Sequence, residues 1–111
     1  MGNFTSVTAV ATQPPTAGGD GLKCVMGTMV GPTAYDANGS EVDFSAIFKS
    51  TVHFAIFNVD NAGLRCQFVP GSSYATATAK CFVDDNAGTE ITGNLATTMA
   101  VTEWIAWGKD S

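Results

Sequence analysis

Residues 50–68 read STVHFAIFNVDNAGLRCQF, and no other stretch says as much about the fold. From Thr51 to Val59 β-branched and aromatic residues dominate, the types that suit a pleated, packed surface. Alternation places Val52, Phe54 and Ile56 on one face and His53, Ala55 and Phe57 on the other. Both faces are mostly apolar, which predicts a central strand covered on two sides. Asp60-Asn61-Ala62-Gly63 then supplies turn chemistry: Asp and Asn bond their own backbone, and Gly accepts the left-handed conformation. The return strand is Leu64 to Val69, stopped by Pro70-Gly71. The whole stretch is therefore predicted to be a β-hairpin.

Outward from that hairpin the same pattern repeats. Gly21 to Val30 reads as a strand, with Gly27 as a bulge position. Tyr35 to Gly39 is an Asn-Gly turn, and Glu41 to Phe44 a short strand. Asp43 to Phe48 fits one helical turn, capped by Asp43, with Phe44 and Phe48 on one face. Tyr74 to Asp84 is a strand, Asp85-Asn86-Ala87-Gly88 a second turn like Asp60 to Gly63, and Thr89 to Thr92 a short strand. Thr97 to Trp107 is the last strand, whose apolar face is broken by Glu103, so one end meets solvent or a partner. Short strands at this spacing, with no helix of useful length between them, predict an all-β chain: an antiparallel β-sandwich or small barrel over residues 21–111. Residues 1–20 lack apolar periodicity and contain Pro14-Pro15 and Gly18-Gly19, so they read as an extended N-terminal arm, ordered by meeting a partner. Deleting them is expected to leave the stability of the domain nearly unchanged.

At 111 residues the chain makes one domain with a core large enough to need no staples. A net charge of −5 argues against direct nucleic-acid binding, because no counterions are released from phosphates by an acidic surface. Only 14% of residues are charged, which favours a chain that lies against another protein. No apolar run reaches membrane-spanning length, and the basic start and apolar core of a secretory signal are missing. Met1 to Ser6 matches a myristoylation pattern, but no polybasic segment accompanies it. Cys24, Cys66 and Cys81 are odd in number and lie in apolar runs, so they read as three free, packed thiols in a reducing compartment.

Candidate chemistry is sparse. His53 is the sole histidine and sits mid-strand among aromatics, where a packing role is expected; no nucleophile elbow accompanies it. Asp84-Asp85 has the spacing of paired acids, but the Asn-Ala-Gly that follows points to turn chemistry. The segments DANGSE and DDNAGTE lack the alternating acids of a calcium loop. Trp104 and Trp107 fall on opposite faces of a strand, so one belongs in the core and the other is a possible contact. No catalytic, cofactor-binding or metal-binding residue is assigned.

Residues 22–109 resemble small virion proteins of tailed bacteriophages. The likeness is carried by VMGTMVGPTAYDANGSEVDFSAIFKSTVHFAIFNVDNAG, within it Asp43-Phe44-Ser45 and Phe48-Lys49, and by Ile105-Ala106-Trp107-Gly108 near the end. These are strand and turn punctuation with no catalytic signature. The resemblance implies a β-sandwich capsid decoration (cement) protein that binds the major capsid protein on the outside of the head. It also implies a homotrimer at three-fold positions, with the arm reaching across capsomers. The competing reading is a carbohydrate- or receptor-binding β-sandwich of a tail fibre or enzyme, for which an exposed tryptophan would be the mark. An enzyme is disfavoured, and no membrane association is expected.

Overall fold

In a computed structural model, residues 2–14, 21–61, 63–70, 78–85 and 87–110 are described. Every regular element among them is a strand: β1 (Thr5–Gln13), β2 (Lys23–Val30), β3 (Ser40–Asp43), β4 (Thr51–Val59), β5 (Leu64–Pro70), β6 (Thr78–Asp85) and β7 (Thr102–Lys109). They form two antiparallel sheets, one ordered β1-β2-β7-β4 and the other β3-β6-β5. The sheets pack face to face as a small β-sandwich, as the strand pattern predicts.

The alternation along each strand decides which side is core. Val25, Gly27 and Met29 of β2, and Thr102, Trp104, Ala106 and Gly108 of β7, point inward. Facing them from the second sheet are Val42 of β3 and Ala79, Cys81 and Val83 of β6. Phe44 and Phe48 fill the middle, and the turn that carries them forms as expected. Phe48 N donates to Phe44 O (2.8 Å) and Ser45 N to the capping Asp43 carboxylate (2.9 Å). Phe44 meets Trp104 edge-on at 5.0 Å between centroids and Phe48 at 6.2 Å. Trp104 lies across Gly27, its ladder partner on β2. A Cβ at Gly27 would sit 2.3 Å from the indole Cζ2 and 2.0 Å from Thr8 O. Gly27 is thus set by the close approach of a ring and a neighbouring strand, and the register shifts of this pair lie on β1, between Thr5 and Thr8 and between Ala9 and Ala11.

The central hairpin does not form as a ladder. β4 pairs with β7 in the first sheet, and β5 pairs with β6 in the second, so the chain crosses the sandwich between them. The turn residues act as expected, with Gly63 N donating to the Asn61 side chain and Leu64 N to Asn61 O. Asp60 N, however, donates to Val101 O, which ties the exit of β4 to the start of β7. The inward residues Ala55 and Phe57 and their counterparts Cys66 and Phe68 then oppose each other across the core instead of sharing one face. Strand alternation fits both arrangements; the partner strands, far away in sequence, choose between them.

Two further expectations for β4 are corrected. It is an edge strand with one covered side, not a central strand with two. Its faces also change over at His53, where the pairing with β7 shifts register between Val52 and Phe54. Because of that bulge, Val52 shares the buried face with Ala55 and Phe57, while Phe54, Ile56 and Asn58 point out.

The N-terminal segment also differs from expectation. Thr5–Gln13 is extended, but it lies along β2 of its own chain as an edge strand. Phe4 is buried in the core, and its N–H donates to Glu41 O (2.9 Å). Phe4 and the partly buried Val7 both pack on the core, but their spacing of three does not match the period of two of a half-buried strand, so the anchor carries no strand signature in sequence. Residues 15–20 of the expected arm, and 74–77 of the strand expected from Tyr74, lie outside the described residues. The last strand starts at Thr102 and not Thr97, because Met99 N donates back to Leu95 O in a turn. Thr89 to Thr92 is reduced to an isolated bridge between Asp84 and Glu90. The turn before it closes tightly, with Asp85 N bonded to Thr89 O at 2.8 Å.

Candidate docking surface

An antiparallel sheet with one solvated side normally carries polar residues there. The outward side of the four-stranded sheet departs from this rule. Register places Gln13, Cys24, Trp107 and Phe54 in one row across β1, β2, β7 and β4. The next row is Ala11, Met26, Ile105 and Ile56. Phe54, Ile56 and Met26 are each about half exposed, at 48%, 50% and 52%. Trp107 and Ile105 are half-buried among them. Phe54 stacks on Trp107, with ring centroids 5.9 Å apart and planes inclined by 29°. It also meets Phe68 of the second sheet edge-on at 5.4 Å. Seven non-polar side chains thus form one continuous patch over three strands and the edge of a fourth.

The patch ends in charge on both sides. Beyond Ile105 comes the row Thr28, Glu103 and Asn58, in which the Asn58 amide donates to Glu103 Oε1 at 3.1 Å. Beyond Trp107 comes Lys109, opposite Thr51. Glu103 therefore marks the polar end of the apolar face, as its break in the alternation predicts. Trp104 is core and Trp107 is on the outward side, the division expected from their opposite facing.

The other residues singled out in the sequence do not gather into a reactive site. His53 sits at the bulge, half-buried, with Nε2 3.3 Å from Thr51 Oγ1. Asp84 is paired with Arg65 at 2.9 Å. Asp85 uses one carboxylate oxygen to accept the N–H groups of Thr89 and Ala87, which hold its carboxyl below the usual range. Asp36 accepts from Gly2 N, so the glycine of the myristoylation pattern is buried and bonded inside the fold. The two calcium-like segments meet each other, Asn38 N donating to Glu90 Oε2 at 2.7 Å. Their polar groups satisfy turn backbone. Among the described residues, no group of three potential metal ligands comes together, and no helix is long and apolar enough to cross a membrane. Tyr35, buried near these turns, accepts Val83 N–H on its hydroxyl at 2.9 Å, and burial pushes its phenol well up.

All three cysteines are free thiols. Cys66 and Cys81 are diagonal neighbours on β5 and β6. The neighbouring Cys81 thiol lowers the Cys66 pKa against an opposing effect of burial, while burial raises Cys81. Cys66 also lines a groove of roughly 360 Å³ between β4 and β5, whereas Cys81 is fully buried. Thiolate fraction and access together govern alkylation. Brief treatment of the native protein with iodoacetamide is expected to modify Cys66 and spare Cys81, and denaturation should release three reactive thiols. Peptide mass spectrometry checks both points; early labelling of Cys81 would contradict the buried pair.

Comparison with protein-family models, curated proteins and solved structures found no match for this chain. The signal for the docking surface was present in the sequence, in the two-sided apolar alternation of residues 51–59. It reads there as a second layer within the chain. In the fold Phe54 and Ile56 of that stretch lie on the outward side of the sheet, each about half exposed.

Proposed function

We propose that this chain is a structural virion protein, a decoration or cement protein that binds the major capsid protein on the outside of a tailed-phage head and bridges adjacent subunits. The observation that carries the reading is the outward apolar face. A sheet side with Met26, Phe54, Ile56, Ile105 and Trp107 side by side on neighbouring strands suits a protein that works covered by protein. The low proportion of charged residues agrees, since few ions need be desolvated on docking. The resemblance of residues 22–109 to virion proteins supplies the particular assembly.

The test is a mass-spectrometric census of purified particles of the encoding phage, followed by add-back of the protein to heads that lack it. The chain is expected in the particles at a copy number comparable with the capsid subunit, and add-back should raise the temperature at which heads rupture. Its absence from particles would sink the proposal.

A second reading, a carbohydrate- or receptor-binding module, is favoured by one observation: Trp107 lies on the outward face. The stacked Phe54 ring covers part of the indole, which weakens it as a sugar platform. Glycan-array binding that disappears in Trp107→Ala would put this reading first.

A further inference from the structure

We propose that the apolar face is covered by a second copy of this chain, stacked face to face about a two-fold axis. The argument rests on the order of side chains along the outward side of β7: Glu103, Ile105, Trp107, Lys109. An acid and a base bracket two apolar residues. Six residues of strand separate the two charges, about 20 Å at ~3.4 Å per residue, too far for them to pair within one copy. A two-fold axis in the interface, perpendicular to β7 near Ala106, reverses the strand direction in the second copy. Glu103 of each copy then lies over Lys109 of the other, and Ile105 lies over Trp107. The contact is self-complementary, as an isologous interface requires.

Other arrangements of the same face are worse. Copies related by a three-fold axis along the strands would bring Glu103 beside Glu103 and Lys109 beside Lys109, and like charges in an interface cost several kcal/mol. Met26 and Ile56 flank Ile105 on its two neighbouring strands, so the apolar rows continue on both sides of the axis. Glu103 is already positioned by Asn58. Lys109 keeps a contact within its own chain, and an ammonium with three donors can serve both. Between outer Cα positions the face measures about 15 Å by about 20 Å, small for a stable interface, so micromolar association is expected.

The inference draws on the same face as the decoration reading: in the dimer the second copy covers Met26, Phe54, Ile56, Ile105 and Trp107, so contact with a capsid protein would use another surface. A dimer that ignores heads would end the decoration reading alone, and a monomer that binds heads would end this one alone.

The test is sedimentation equilibrium of the full chain from about 1 to about 100 µM, the range expected for a small interface. Wild type should form dimers. Glu103→Lys and Lys109→Glu should each weaken association at least about tenfold, since either one creates two like-charge contacts. Mixing those two variants should restore it, because each copy of one then meets opposite charge on the other; the double reversal should restore it as well. Circular dichroism confirms folding. Should a reversal fail to fold, Glu103→Gln and Lys109→Gln make the same comparison, and each should weaken the dimer about threefold and flatten its salt dependence. A monomer throughout, a trimer, variants that associate like wild type, or a mixture that stays monomeric would each overturn the proposal.

Discussion

Replacing Phe44 by alanine is expected to cost about 4 kcal/mol of unfolding free energy, the largest effect of any single substitution considered for this chain. Phe44 is fully buried and stands between Trp104 and Phe48 in two edge-on contacts. Truncation removes the transfer energy of the ring and leaves a cavity that cannot collapse, because the indole is held by its Nε1–H to Thr28 O at 3.0 Å. Aromatic pairs add about 0.5–1.5 kcal/mol beyond burial, and both pairs are lost together. In a domain whose total stability is about 5–15 kcal/mol, the variant is near the edge of folding. Urea unfolding followed by tryptophan fluorescence measures the change. A loss under about 1.5 kcal/mol, at the low end for buried large-to-small changes, would mean that the ring is not the centre of the core.

The second large effect concerns the N-terminal segment. Removing residues 2–13 is expected to destabilise the domain by about 5 kcal/mol, combining loss of buried Phe4 with loss of the β1 ladder. Phe4→Ala alone should account for about 3 kcal/mol, because its ring is 4% exposed and its backbone is fixed on Glu41. At about 5 °C per kcal/mol, the truncated protein should melt more than about 20 °C below the full chain. Thermal denaturation by circular dichroism decides between two descriptions of the segment. If truncation leaves the midpoint unchanged, residues 1–20 behave as the free arm that the sequence suggests. If the midpoint falls as expected, Phe4 and β1 are structural members of the sandwich.

The sequence shows the β class plainly because that information is local. Alternation at Thr51 to Val59, turn residues at Tyr35 to Gly39 and Asp85 to Gly88, and the capped turn at Asp43 to Phe48 are each written within ten residues. Partnership between strands is not local. Nothing near Thr51 reveals that β4 takes β7 as its neighbour, and Asp60 to Gly63 can close a ladder or arch between sheets equally well. The bulge at His53 is likewise hidden, since a one-residue shift is set by the partner strand and moves every later side chain to the other face. Phe4 and Val7 give no strand signal because their spacing of three departs from the alternation of a half-buried strand. The apolar face was legible as a pattern of residues, but a chain read alone cannot distinguish a side covered from within from one left for another molecule.

The position of β7 between β2 and β4 has a consequence for synthesis. Residues 102–109 emerge from the ribosome some seventy residues after β2 and more than forty after β4. Until they do, β2 and β4 each lack the neighbour that joins them, and Trp104 is missing from the core. The second sheet can close earlier, since β3, β5 and β6 all end by Asp85. Non-local pairing of this kind is slow and leaves strand edges open while it waits. The nascent chain thus holds β2 and β4 as unjoined strands, with Met26, Phe54 and Ile56 already translated, during the last part of elongation. A cell making this protein in quantity must keep those segments apart for that interval, and the central strand of the first sheet ends it.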